Sequence, residues 1–258
     1  MAKCVTFNLD TEFTVSGLPV LKRDPIDNAG SLSILDATSD FSWEKQAASV
    51  TGDTWLSKVG SNHATFNGPI AFSDGFQFTT AADDIIALPS QFQLATNEAE
   101  RLIIAWFRHG TQPLSAGGGA GVLSCGTAAA NHQYGIYCNL RPSAPDGPLY
   151  VTAEGGAVIH VVSNAPANDS LWQIGIHIKL VSGVYVYSVY VNGLLAGTYN
   201  RTISVLPAAG AARIGAHTGA GTNWLGKFYR AVSDDLTGGS SAAALVAADY
   251  SAFKTVFI

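Results

Sequence analysis

Val184 to Tyr199 reads VYVYSVYVNGLLAGTY, two alternating residue classes with no charge and a turn signal at Asn192-Gly193. Both turn residues tolerate positive φ, which suits the type I′ turn of a two-residue β-hairpin. A strand therefore enters at Val184, and its partner leaves at Leu194. Just upstream, WQIGIHIKL sets Trp172, Ile174, Ile176, Ile178 and Leu180 on one side and Gln173, Gly175, His177 and Lys179 on the other. That period of two marks a half-buried strand. With Val181-Ser182-Gly183 as a three-residue turn, Leu180 faces Val184, Ile178 faces Val186 and Ile176 faces Ser188 on the core side. Tyr185 and Tyr187 then lie on the other face, opposite Lys179 and His177.

The same grammar extends along the chain. FNGPIAFSDGFQF, DDIIALPSQFQL, RLIIAWFRH, GVLSCG, YGIYCNL, LYVTAEG, AVIHVVS, ARIGAH and WLGKFYRAVS are strand-sized runs separated by Gly, Pro, Asn and Asp. Such spacing predicts an all-β sandwich or jelly roll. Of 258 residues, 47% are hydrophobic, 13% are charged and 27 are glycine, which suits short strands with tight turns and argues against disorder. A helix is predicted only near the end, in SSAAALVAADYSAFK, with a serine N-cap and Leu245, Ala248 and Ala252 at helical spacing. Residues 1–40 carry Pro19, Pro25, Lys22, Arg23, Asp24 and Asp27, and read as an extended N-terminal arm before a domain over 41–258.

A net charge of −5 leaves no basic footprint for nucleic acid. The apolar run Leu180 to Asn200 is long enough for a bilayer, but its period of two and internal turn exclude a membrane helix. MAKCVTFNLDTEF has no apolar signal-peptide core, so folding in a cytoplasm is expected. Cys4, Cys125 and Cys138 lack metal-ligand spacing and read as buried thiols. A Cys125–Cys138 bridge and an intermolecular bond through Cys4 are the alternatives. AGGGAG at 116–121 lacks the Lys and Ser/Thr of a phosphate loop and reads as a hairpin loop.

FQFTTAADDIIALPSQFQLATNEAERLIIAWFRHG, YSVYVNGLLAGTY and AARIGAHTGAGTNWLGKFYRAVSDDLT, with the short terminal helix, resemble the concanavalin A-like, laminin-G-type jelly rolls over roughly residues 66 to 256. ILDATSDFSWEKQAASVTGDTWLSKV, leading into them, resembles lectin-like structural proteins of tailed bacteriophages. The resemblance implies a virion component on the capsid surface, collar or tail appendage. It would bind other virion proteins and host-surface polysaccharide, and form a homo-oligomer, a trimer in appendages of this kind. Enzymes of this fold present Glu-x-Asp-x-x-Glu from one strand. None of Glu12, Glu44, Glu98, Glu100 and Glu154 stands in that pattern, so a non-enzyme is expected. A receptor-binding module of a tail fibre is the alternative and a glycan hydrolase ranks third, since this fold serves all three.

Sugars present flat apolar faces and many hydroxyls, so their sites combine an aromatic platform with polar side chains. One candidate is the loop AHTGAGTNWLG, with Trp224 beside His217 and Asn223. The other is the face of Tyr185, Tyr187, His177 and Gln173. For each, burial competes: Trp224 as core, and the tyrosine stripe covered by a strand, the arm or a neighbouring subunit, because exposed it would be an apolar patch. The six histidines have no zinc-like spacing. The resemblance also makes Asp74, Asp83, Asp84, Asp146 and Asn223 weak calcium candidates, with Asx turns favoured. No other cofactor is expected.

Overall fold

The structure, a computed structural model, describes residues 24–79, 84–112, 119–126, 131–139, 147–208, 210–215 and 224–257. Two antiparallel sheets face each other. The first runs β14 (Leu194–Asn200), β13 (Val184–Val191), β12 (Ser170–Val181), β7 (Glu100–His109), β16 (Gly226–Asp235), β5 (Phe76–Phe78) and β4 (Ala71–Phe72), with β1 (Ser31–Asp36) also pairing β16. The second runs β11 (Val158–Ser163), β10 (Leu149–Thr152), β9 (Tyr134–Asn139), β8 (Gly119–Cys125), β15 (Ala212–Ile214), β6 (Ile86–Ala87), β3 (Ala64–Phe66) and β2 (Thr54–Trp55). The all-β sandwich expected from the sequence is the fold.

The hairpin that opened the reading holds one correction. Asn192 (φ 49°) and Gly193 (φ 84°) form the expected turn. The preceding turn, however, has two residues, Ser182 (φ 49°) and Gly183 (φ 82°), and Val181 pairs with Val184. The register is therefore one residue away from that expected, with Lys179 opposite Val186 and Leu180 opposite Tyr185. A one-residue slip exchanges the faces of a strand. Tyr185, Tyr187 and Val189 consequently point into the sandwich with Ile174, Ile176 and Ile178. An aromatic cluster of Trp43, Trp55, Phe66, Phe72 and Phe76 fills the other end, with ring centroids 4.9–6.4 Å apart.

A second apolar layer lies on the outer face of the first sheet. Ile34, Leu102, Ile104, Trp106, Tyr190, Tyr229 and Val232 are covered there by Ile26, by α1 (Ala242–Phe253) and by Phe257. The Ser241 side chain caps α1 by accepting from the Ala244 amide. Its buried stripe is Ala242, Val246, Asp249 and Phe253, offset from the expected Leu245, Ala248 and Ala252, of which Ala248 is exposed. Gly175 lets the helix approach, since a Cβ there would stand 3.0 Å from Val246.

Polar groups fasten this layer. The buried Arg230 donates from Nε to Asp249 (2.9 Å) and from both terminal nitrogens to Asp24 (2.7 and 2.9 Å). Lys58 adds a 3.0 Å contact to Asp24, and the Phe253 ring lies 4.2 Å from the Arg230 guanidinium carbon. Trp106 and Gln173 also donate to Asp249. The boundary expected at residue 40 is therefore corrected. Residues 24–36 supply a strand and a buried acid to the sandwich, because Arg230 requires the carboxylate of Asp24; residues 1–23 lie outside the described part.

Candidate functional site

The side chains proposed from sequence do not assemble into a site. Tyr185 and Tyr187 are buried and donate to the carbonyls of Glu98 (2.9 Å) and Gln133 (3.0 Å). Gln173 is buried beneath α1, donating to Val246 O and accepting from the Gly193 amide at 2.8 Å. His177 does face outward, yet its Nε2 sits 2.8 Å from Glu100 Oε1. Burial lowers its pKa against the opposing pull of that glutamate. Trp224 is core, edge-on to Phe107 at 5.7 Å; its companions His217 and Asn223 lie outside the described residues.

The calcium candidates separate in the same way. Asp74 binds Lys227 (2.7 Å) and Ser73 (2.6 Å), whereas Asp84 is buried and accepts from the Thr79 amide and hydroxyl. Asp83 and Asp146 lie outside the described residues, among which no cluster of three or more His, Cys, Asp or Glu could hold a metal. Cys125 pairs across the strands with Tyr134 and Cys138 with Ala120, so the two thiols stand at opposite ends of β8 and β9 and are free. Glu98, one of the glutamates outside the catalytic pattern, is buried against Arg101 at 2.9 Å.

What the fold does assemble is a small cleft on the outer face of the second sheet. In β9, Tyr134, Ile136 and Cys138 enter the core, so Gly135 and Tyr137 face out. In β10, Leu149 and Val151 enter the core, so Tyr150 and Thr152 face out. Register places Tyr137 directly opposite Tyr150, and the rings stack with centroids 5.9 Å apart and planes 23° apart. Gly119 adjoins both rings, since a Cβ there would meet Tyr150 Oη at 2.8 Å and Tyr137 Cδ1 at 3.5 Å. His132, just before β9, places Nε2 2.9 Å from Thr152 Oγ1 and Nδ1 3.5 Å from the Tyr137 hydroxyl. Gly156 completes a cleft of about 100 Å³ lined by these six residues.

Thr152 Oγ1 donates to Gly135 O at 3.3 Å, so it accepts from His132 Nε2–H, while Nδ1 of the same ring lies 3.5 Å from the Tyr137 hydroxyl. Burial raises the Tyr137 phenol well above its ordinary pKa, opposed by a Ser124 hydrogen bond, and burial raises Tyr150 as well. Among the described residues the lining is thus aromatic, hydroxyl, imidazole and glycine, with no carboxylate, lysine or arginine. Beside it, Val158 pairs with Thr152 and Val161 with Tyr150, and both valines are exposed. Glu154, between Thr152 and Gly156, accepts from Arg201 Nε at 2.6 Å and anchors that rim.

Sequence reasoning missed this cleft although part of the signal was present. YGIYCN and LYVTAEG each carry a tyrosine out of phase with their core residues. Their juxtaposition depends on the pairing of β9 with β10, which no local pattern encodes.

No protein-family model matches the chain, and no curated protein is similar to it in sequence. Solved structures do match its fold. Trypanosoma rangeli sialidase in complex with sialic acid superposes with a TM-score of 0.62 at 12% identity, over 90% of this chain and 34% of that one. The same sialidase as a covalent intermediate gives 0.63 at 13%, with the same coverage. The botulinum neurotoxin serotype D binding domain gives 0.58 at 8%, over 86% of this chain and 51% of that one. The chain therefore spans about a third of the sialidase chains and half of the toxin domain.

These likenesses carry the sandwich fold. They also correct the expectation of a non-enzyme, because structures that the chain resembles are those of an enzyme. The structures named here include no bacteriophage protein.

Proposed function

We propose that the chain is a glycan-recognising β-sandwich unit in a system that hydrolyses glycan, and that it holds saccharide at the Tyr137–Tyr150 cleft. The observation that carries this reading is the stacked tyrosine pair beside a glycine-lined hollow with Thr152 and His132 at hand, the mixture of flat apolar surface and hydrogen-bonding groups that sugars require. The sialidase and toxin-binding-domain likenesses support it at the level of fold.

A glycan array on the full chain tests the reading. Saccharide should be retained, and retention should fall in Tyr150→Ala while the near-UV circular dichroism is kept. An array without ligands refutes it. Incubation of a retained glycan with the chain, followed by assay of reducing ends, tests turnover by the chain itself. A place on a phage particle, with virion proteins as partners and a trimeric state, rests on the sequence resemblance; mass spectrometry of purified virions tests it.

A further inference from the structure

We infer that the cleft takes an uncharged saccharide, one ring laid on Tyr150 and a small neutral substituent, a hydroxymethyl or an acetamido group, lodged between the tyrosines and Gly119. This rests on the glycan-binding reading and goes further in naming the class of sugar. Three observations carry it.

The first is the chemistry of the lining, which among the described residues is two phenols, a threonine hydroxyl, an imidazole and two glycines, with no lysine, arginine or carboxylate. A carboxylate brought out of water needs a cation or converging charge-assisted donors, whereas hydroxyl and amide groups are satisfied by hydroxyl and imidazole partners of this kind. The second is the state of the nearby cation. Glu154 stands between the lining residues Thr152 and Gly156, and the guanidinium near it, Arg201, is already held on that carboxylate at 2.6 Å. An anionic sugar would therefore find that guanidinium already neutralised, on a chain whose net charge is −5.

The third is size and continuation. About 100 Å³ admits a substituent and not a whole ring, so the ring itself must lie outside, where Val161 stands opposite Tyr150 and Val158 opposite Thr152 on the neighbouring strand. Val158 and Val161 are 56% and 46% exposed, a surface suited to the apolar face of a further residue in the glycan. The ligand of this cleft is thus distinguished from the sialic acid of the sialidase complex.

The test is isothermal titration calorimetry of the full chain against neutral probes, lactose and chitobiose, and anionic ones, sialyllactose and digalacturonate. A neutral probe should bind at least about tenfold more tightly than either acid, the discrimination typical of one unmatched group. Gly119→Ala, whose Cβ would stand 2.8 Å from Tyr150 Oη, should weaken that binding by about tenfold at an unchanged near-UV spectrum. Acidic probes binding as well as neutral ones would overturn the inference and leave glycan recognition standing. Neutral binding indifferent to both Gly119→Ala and Tyr150→Ala would place the sugar elsewhere and overturn it too. If no probe binds and the glycan array is blank, the inference falls together with the reading beneath it.

Discussion

Asp234 is a carboxyl that the sandwich keeps from water. Burial pushes its pKa from 3.8 up to about 6, against hydrogen bonds from Ser31 and Asn28. The folded state then binds the proton more tightly than the unfolded chain, so this group makes stability fall as pH rises from 3.8 to 6, and the loss persists above 6. Asp234→Asn should therefore stabilise the protein at pH 8 by roughly 2 kcal/mol and bring little gain at pH 4; urea midpoints at the two pH values check it. Asp24 has the opposite sign. Burial works against its charge, but Arg230 and Lys58 prevail and lower its pKa, so its contribution is present above 3.8 and is lost on acidification. The thiols give a second prediction. Burial pushes Cys125 up to about 12 and raises Cys138 further, so neither should react with iodoacetamide at pH 8 until denaturant is added, as peptide mass spectrometry will show. The glycines of the two hairpin turns give a third. Both have positive φ, but a Cβ at Gly183 meets nothing within 4 Å whereas one at Gly193 lies 2.9 Å from Tyr250. Gly183→Ala should cost about 1 kcal/mol from strain, and Gly193→Ala distinctly more because it also displaces α1.

At the scale of elements, α1 is held to the first sheet by one buried acid serving several donors. Asp249→Ala would leave the Arg230 guanidinium short of a partner and deprive Trp106 and Gln173 of their acceptor. Breaking a buried pair from one side costs about 3–5 kcal/mol, so the urea midpoint should fall steeply. The same element shows where sequence reading stops. The serine cap and helical spacing were legible in SSAAALVAADYSAFK, but the stripe that faces inward includes an aspartate, which a hydrophobic pattern counts as solvent-facing. Only Arg230, arriving from β16, makes Asp249 a core residue. The β12–β13 hairpin teaches a related lesson. Alternation was plain, yet tyrosine and serine-flanked valine sets are both plausible inward faces, and the difference between a two- and a three-residue turn decided between them.

For the whole molecule, strand-sized runs and turn residues made the sandwich legible, because alternation is a local property. The cleft was not, since Tyr137, Tyr150 and His132 converge only when β9 pairs with β10 and the loop before β9 folds back. Likewise Pro25 and the charges around it suggested an arm, although Asp24 and Ile26 are buried where this segment crosses the second apolar layer. A chain begun at residue 31 should therefore be destabilised by at least about 3 kcal/mol, read from its thermal midpoint, because it lacks Asp24 beneath Arg230. The clasp of Asp24, Arg230 and Asp249 has a kinetic side as well. Its Asp24–Arg230 contact spans 206 positions, and α1 follows in chain order every strand of the sheet that it covers. A nascent chain thus emerges with the seat of α1, Trp106 and Tyr190 among it, uncovered until α1 itself has been made. Closure by long-range contacts of this kind is slow. During translation, then, the outer face of the first sheet is the surface that a chaperone would be called on to shield.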